Sequence, residues 1–316
     1  MKKILCIDSN HPVLHETLID AGFHCDLFWD KPKDELLALI PQYDGIVIRS
    51  RFKITKDILD SAPRLRCIGR AGAGMENIDV SYAESKGIRC VHAPEGNRDA
   101  VGEHALGMLL MLMNNLKRAD HEVRQGIWKR AENRGYEIKG KTVGIIGYGN
   151  MGEAFAKRLS GFDCRILVYD KYKKGFGSEL VQEATLSEIY EEADIVSLHT
   201  PLTDETRYYI QDAFIRSFRK DIYIINTARG KCLNTADLVS HLKTGKVKGA
   251  CLDVLEYEAV SFENIDAANL PEPMQYLIKS EQVILTPHIA GWTHESNYKI
   301  SKILAEKMIA VLKDSD

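Results

Sequence analysis

The residue types best able to do chemistry stand where short apolar runs end. An arginine closes the first of these, in Asn226-Thr227-Ala228-Arg229-Gly230. Acids follow the second, in Leu252-Asp253-Val254-Leu255-Glu256-Tyr257-Glu258, and a histidine follows the third, in Thr286-Pro287-His288-Ile289-Ala290-Gly291. Arginine holds a carboxylate in bidentate geometry. Histidine exchanges a proton near neutral pH. A carboxylate beside it orients the imidazole and favours its charged form. Arg229, Glu258 and His288 thus make a set suited to hydride exchange between a 2-hydroxy acid and its 2-oxo acid.

Hydride exchange needs a carrier, and the sequence offers a place for one. Gly147-Tyr148-Gly149-Asn150-Met151-Gly152 is a G-x-G-x-x-G run. It follows an apolar strand pattern at 142–146 and opens a helical one at 153–159. Asp170 ends the next strand pattern, eighteen residues after Gly152. Strand, glycine turn, helix and acid form the dinucleotide-binding context. The first glycine permits the turn, the second admits pyrophosphate, and the third lets helix and strand touch. Helix-start amides take the phosphate charge. Asp170 would accept from ribose hydroxyls and repel a 2′-phosphate, which favours NAD over NADP. A second cluster, Gly69-Arg70-Ala71-Gly72-Ala73-Gly74, reads equally as a ligand-facing loop or a plain strand-end turn.

Short β-rich runs must position these residues. They fall at 1–8, 45–49, 65–69 and 88–92, then at 141–146, 165–169, 195–199, 222–226, 249–254 and 283–286. Helical patterns alternate with them, including 33–40, 55–61, 212–218, 236–244 and 293–312. Alternation of this kind predicts parallel sheets covered by helices on both faces. One long helix, buried all round, is expected from about 99 to 126, and an exposed loop with a short helix over 259–280. Two α/β units result, about 1–98 and 99–287, with the last helix returning to the first. In such sheets ligands bind at the carboxyl ends of the strands.

Composition narrows the classes. The chain has 316 residues, 45% hydrophobic and 28% charged, with a formal net charge of −3. Length favours two domains. Bulk charge gives no reason to expect nucleic acid or an anionic membrane as partner. The seven cysteines are odd in number and lack C-x-x-C spacing, so neither a disulfide framework nor a metal site is expected. The start, Met1 to Asp8, does not read as a signal peptide. The longest apolar stretch, Ala105 to Met113, is too short to span a bilayer. A cytoplasmic location is the expectation.

The run at 147–152, Thr227-Ala228-Arg229-Gly230, Leu252-Asp253-Val254 and Thr286-Pro287-His288 resemble, in order and spacing, the signatures of the D-isomer-specific 2-hydroxyacid dehydrogenase family. The resemblance implies α/β architecture: two doubly wound parallel-sheet domains, a Rossmann-type NAD domain inserted into a flavodoxin-like substrate domain. The substrate domain would be 1–98 with 289–316, and the NAD domain 99–288. It implies a homodimer, NAD as cofactor and a small 2-hydroxy acid as substrate. The catalytic set is Arg229, Glu258 and His288; the glutamate five residues after Asp253 is Glu258, not Glu256. Cofactor contacts fall on Gly147, Tyr148, Gly149, Asn150, Met151, Gly152, Asp170, Thr200, Thr227, Ala228, Asp253 and Gly291.

Within the family, Gly69 to Gly74 followed by Asn77-Ile78-Asp79, with Arg49-Ser50-Arg51 and Gly126-Ile127-Trp128-Lys129-Arg130, is similar to the phosphoglycerate dehydrogenase branch. That similarity implies substrate contacts at Arg49, Ser50, Arg70, Ala73, Gly74, Asn97 and Arg130, the last lent by a neighbouring subunit. It implies a short form, without a C-terminal regulatory domain. Ala259 and Trp292 depart from the branch pattern and leave a hydroxypyruvate, glyoxylate or D-lactate-type enzyme as the alternative. An NAD-sensing, co-repressor-like binding protein is the alternative of another class. Formate dehydrogenase is disfavoured, because it pairs its histidine with glutamine.

Overall fold

The computed structural model describes residues 1–29, 31–258 and 269–314. They form two compact units: Met1–Arg98 with the chain from Trp292 onward, and the chain from Asp99 to Gly291.

Unit one holds β1 (Lys3–Cys6), α1 (Val13–Asp20), β2 (His24–Leu27), α2 (Lys33–Leu39), β3 (Gly45–Ile48), α3 (Lys56–Asp60), β4 (Cys67–Arg70), α4 (Val80–Ser85) and β5 (Arg89–His92). Its five strands are parallel, in the order β2-β1-β3-β4-β5. The central strands are apolar on both sides, so the sheet is buried on both faces. Leu5, Ile46 and Ile68 pack with Leu36, Ile58 and Ala83 on one face. Ile4, Val47 and Cys67 pack with Leu14 and Leu18 on the other.

Unit two begins with α5 (Arg98–Met113) and α6 (Leu116–Arg124). There follow β6 (Thr142–Ile146), α7 (Asn150–Arg158), β7 (Arg165–Tyr169), β8 (Gln182–Glu183), α8 (Leu186–Glu192), β9 (Ile195–Leu198) and α9 (Asp212–Arg216). The unit closes with β10 (Ile222–Asn226), α10 (Thr235–Thr244), β11 (Val247–Leu252), α11 (Glu272–Lys279) and β12 (Val283–Leu285). Its seven-stranded parallel sheet runs β12-β11-β10-β9-β6-β7-β8. The strand order reverses between β6 and β9, and that reversal makes the crevice where doubly wound folds bind ligands. Helices α5 and α7 cover one face through Ala105, Leu109 and Phe155. Helices α8 to α11 cover the other through Ile189, Ile215, Leu238 and Met274.

The last helix, α12 (His294–Lys313), returns to unit one, where Ile300, Leu304, Ala305, Met308 and Leu312 join the core beside α1. Thr293 caps its start by accepting from the Ser296 amide at 3.0 Å. Burying four to five such side chains contributes roughly 1.5–3 kcal/mol each against leaving them in water.

Three expectations need correction. The single helix over 99–126 is two helices, broken at Asn114-Asn115, where Asn115 takes φ 54°. Asparagine tolerates that left-handed conformation better than other side chains. Nor is the pair buried all round: α6 buries no residue. Strand β11 starts two residues earlier than its apolar pattern suggests, so Asp253 and Val254 lie beyond its end. The short helix expected within 259–280 is α11, and the part from 259 to 268 lies outside the described residues.

Candidate active site

All three catalytic candidates follow neighbouring strands of unit two, since β10 pairs with β11 and β11 with β12. Asn226 ends β10 fully buried, and its side chain shapes the turn after it. Its Oδ1 accepts from the Ala228 amide at 3.1 Å, and its Nδ2 donates to the Arg229 carbonyl at 3.0 Å. Arg229 follows, half-buried, with Nη1 donating to the Ala228 carbonyl at 2.6 Å.

The turn after β11 carries Glu258. Its Oε1 accepts from the Leu255 amide, and its own amide donates to the Leu255 carbonyl at 3.2 Å. Glu256, two residues before, is turned elsewhere. It accepts from the Tyr208 hydroxyl and the Thr235 amide, both at 2.9 Å, which ties the turn to α10.

His288 stands after β12. Its Nδ1 is 2.9 Å from Glu258 Oε2, and both side chains are largely buried, at 25% and 13% exposure. A carboxylate only accepts, so Nδ1 carries the hydrogen of this bond. The backbone is unusual here: His288 has φ 55°. A non-glycine residue in that region costs about 1–2 kcal/mol, so the surroundings must impose it. Asp253 does so. Its carbonyl accepts from the His288 amide at 2.8 Å, and its carboxylate accepts from the amides of Ile289 and Ala290 at 2.8 and 2.9 Å.

Asp253 is 1% exposed, and both carboxylate oxygens are engaged by this turn and by Thr286. Asp253, expected at the cofactor site, also anchors the histidine turn. Asn226, Thr286 and Glu256 escaped the sequence reading as site residues. Their signal was their place next to Arg229, His288 and Glu258.

The model of the D-isomer-specific 2-hydroxyacid dehydrogenase NAD-binding domain matches residues 106–290. The chain belongs to the D-isomer-specific 2-hydroxyacid dehydrogenase family. The dehydrogenase is 37% identical over 301 residues to a glyoxylate reductase of Thermofilum pendens, covering 93% of this chain and 86% of that one. It is 36% identical over 280 residues to a hydroxypyruvate reductase of Thermotoga maritima, with 89% and 88% covered. A D-3-phosphoglycerate dehydrogenase of Methanocaldococcus jannaschii is 35% identical over 318 residues, which cover 99% of this chain but 58% of that protein. Among solved structures, the D-lactate dehydrogenase of Aquifex aeolicus complexed with NAD and lactic acid superposes with a TM-score of 0.83 at 28% identity, covering 99% and 96% of the two chains. The chain is thus an NAD-dependent oxidoreductase of CH–OH groups, and the alternative of a catalytically idle NAD sensor falls away.

The residues of unit two fit NAD. Gly147 has φ 93°, and a Cβ there would meet the His199 carbonyl oxygen at 2.6 Å. A Cβ on Gly152 would lie 2.1 Å from the Gly147 oxygen, so helix α7 closes directly on the turn. Gly149 faces open space, and the half-buried Tyr148, Asn150 and Met151 lie beside it. The first-turn amides of α7 lack intrahelical acceptors and point to that space. The buried hydroxyls of Thr200 and Thr227 have no partner among the described residues, as expected of groups that await a polar ligand. Ala228 is buried beside Thr227, and Gly291 ends the turn after His288.

Asp170 ends β7 and accepts from the amides of Tyr148, Tyr172 and Lys173 at 2.7, 2.9 and 2.9 Å. Burial alone would raise its carboxyl. The three amides, with the Lys173 charge, outweigh burial and hold it below the usual carboxylate range. An acid that is ionised at neutral pH therefore stands beside the glycine fingerprint.

The expected substrate contacts divide between the units. Arg130 is exposed in unit two. Arg49, Ser50, Arg70, Ala73, Gly74 and Asn97 lie in unit one. Arg49 directly follows β3 and Arg70 ends the adjacent β4, with Ile48 paired to Arg70. Arg70 folds over Gly72, where a Cβ would lie 1.6 Å from Nη1. Ala73 gives its carbonyl to His92 Nδ1 at 2.5 Å. The Asn97 Oδ1 is buried without a partner among the described residues. The Arg49 guanidinium stacks on the Trp292 ring, 4.2 Å from its centroid. The two line a cavity of about 240 Å³ with Thr293, His294, Ser296 and Asn297. Arg51, the second arginine of that strand end, donates to the carbonyls of Ile7, Phe28 and Lys31 at 3.3, 2.7 and 2.6 Å.

Proposed function

We propose that the dehydrogenase interconverts 3-phosphoglycerate and 3-phosphohydroxypyruvate, the entry step of serine synthesis. One observation carries this reading: two arginines, Arg49 and Arg70, close neighbouring strands of unit one. Arg229 already answers the substrate carboxylate, so the pair supplies charge for a second anionic group. Ser50, Ala73, Gly74 and Asn97 would complete that loop edge, with Arg130 lent by a second copy of the chain. Unit one then serves as the substrate domain, and unit two as the NAD domain.

Arg229 holds the carboxylate and fixes C2. His288, through Nε2, takes the hydroxyl proton in oxidation and returns it to the carbonyl oxygen in reduction. Glu258 keeps the imidazole in one tautomer and one orientation. Gly147 to Gly152, Asp170, Thr200, Thr227, Ala228, Asp253 and Gly291 would hold NAD, which would supply the hydride acceptor. A homodimer is supported by the exposed apolar side chains Leu116, Val123 and Trp128 of α6 and the segment after it. A cytoplasmic location fits the unpaired cysteines.

A second reading rests on Trp292. Its indole covers one face of Arg49, which suits a flat carboxylate in the guanidinium plane better than a hydrated phosphate. Hydroxypyruvate or glyoxylate would then be the substrate, as the names of two relatives suggest. NADH consumption with phosphohydroxypyruvate, hydroxypyruvate, glyoxylate and pyruvate, side by side, decides. A preference for the phosphorylated acid upholds the first reading, and its failure beside an unphosphorylated acid overturns it.

A further inference from the structure

We infer that His104, on α5, is a positioning residue that keeps the His288 turn in catalytic register through Thr286 and Asp253. The inference rests on the reading of His288 as the proton-exchanging residue.

Hydrogen-bond bookkeeping fixes the direction of this chain. Thr286 Oγ1 lies 2.6 Å from Asp253 Oδ1. The carboxylate has no hydrogen to give, so the single hydroxyl proton of Thr286 goes to it. A thioether contact from Thr286 to Met108 Sδ, at 3.7 Å, is the weaker alternative for that proton. With its proton committed, the Thr286 oxygen can only accept from His104 Nε2, 3.0 Å away. His104 therefore carries a hydrogen on Nε2, which also stands 3.6 Å from Asp253 Oδ1.

Asp253 is where this chain reaches the chemistry. The same carboxylate holds the amides of Ile289 and Ala290, and its carbonyl holds that of His288. The turn it pins has a left-handed, non-glycine residue at its centre. Such a conformation persists only when its surroundings over-determine it. Without the His104 donor, the Thr286 oxygen is left with an unmet acceptor position. Asp253 also loses the Nε2 hydrogen 3.6 Å from its Oδ1, at the edge where His104 is 23% exposed and water can enter. A buried polar network that is partly satisfied loosens, and small misplacements of a catalytic group are costly.

The test compares His104→Leu and His104→Gln in the whole enzyme with NADH and the preferred 2-oxo acid. Glutamine places an amide N–H near the Nε2 position, whereas leucine fills the space without a donor. Expected is a loss in kcat of about tenfold or more for leucine, with most of it restored by glutamine. The KM for the acid and the NADH affinity, read by fluorescence, should stay within about twofold, since His104 is not among the residues assigned to either ligand. Unchanged kcat in the leucine variant overturns the inference. So does a loss shared equally by kcat, NADH affinity and melting temperature, which is what a merely structural residue gives. Should leucine prevent folding, Thr286→Val breaks the same chain one link on, and normal turnover in it overturns the inference. His288→Gln is measured alongside. If that variant keeps full turnover, the reading of His288 fails; if it loses turnover while His104→Leu does not, only the present inference fails.

Discussion

Gly230 and Leu255 touch through their backbones: a Cβ on Gly230 would lie 2.0 Å from the Leu255 carbonyl oxygen. The turn holding Arg229 and the turn holding Glu258 are thereby in register with each other, with no side chain between them. Gly230→Ala must push the two apart. Overpacking of this kind costs about 1–3 kcal/mol, and displacement of either catalytic group by about 1 Å costs on the order of 10²-fold in rate. Steady-state kinetics and a melting curve on the variant check both. A wild-type kcat would show that the turns are independent.

His288→Gln should lower kcat in both directions by about 10²–10⁴, the usual loss with a general acid–base. NADH affinity, by fluorescence titration, should change little. Glu258→Gln should fall between this variant and wild type. Its amide carbonyl still accepts from Nδ1, but the bond is no longer charge-assisted and holds the ring less firmly. A Glu258→Gln enzyme with full kcat would mean that orientation alone suffices.

Asp170→Ala should raise the KM for NAD roughly tenfold or more, as expected for lost bonds to a charged acceptor. Discrimination against NADP should relax at the same time, because the charge that repels the 2′-phosphate is gone. The ratio of kcat/KM for the two cofactors, before and after, is the measurement. A wild type that already prefers NADP would refute the role given to Asp170.

Part of the acid sensitivity of the fold should come from His199. Burial pulls its ring down from the ordinary 6.5 to about 4. The folded chain therefore stays neutral at this site where the unfolded chain takes up a proton. Stability is full above pH 6.5 and falls as pH drops toward about 4. The complete loss is on the order of 3 kcal/mol. Between pH 6.5 and 5 the depressed carboxyls, such as Asp170, have hardly begun to titrate. Urea unfolding in that window should show wild type losing on the order of 1–2 kcal/mol and His199→Asn losing less. Parallel curves for the two would remove His199 from the account.

Trp292→Ser should separate the two substrate readings. If the indole holds Arg49 for a phosphate, the KM for phosphohydroxypyruvate rises severalfold, while that for glyoxylate is steady. If it shapes a site for short acids, glyoxylate suffers more.

Much of this was legible in the residues. Strands such as Ile222–Asn226 carry continuous apolar runs, because both faces of a parallel sheet are covered. The glycines of 147–152 announce a turn no other residue can make, and the three catalytic candidates each follow a strand. What escaped has physical reasons too. Strand β2 reads His-Cys-Asp-Leu and lies at the sheet edge with no fully buried residue, so periodicity gives it no signal. The break at Asn115 depends on one residue tolerating φ 54°. The sequence shows the charge of Arg51 but not the three carbonyls that occupy it.

The strand-end arginines Arg49 and Arg70 belong to one compact unit, while Arg229, Glu258, His288 and the glycine fingerprint belong to the other. On the function proposed above, recognition of the substrate's tail and the redox step are carried by separate bodies. Mutational drift in the first can retune which acid is taken without touching the machinery that oxidises it. A family built this way can diversify its diet while keeping one engine, and grafting unit one from a relative with a different substrate onto this unit two is the direct way to move specificity.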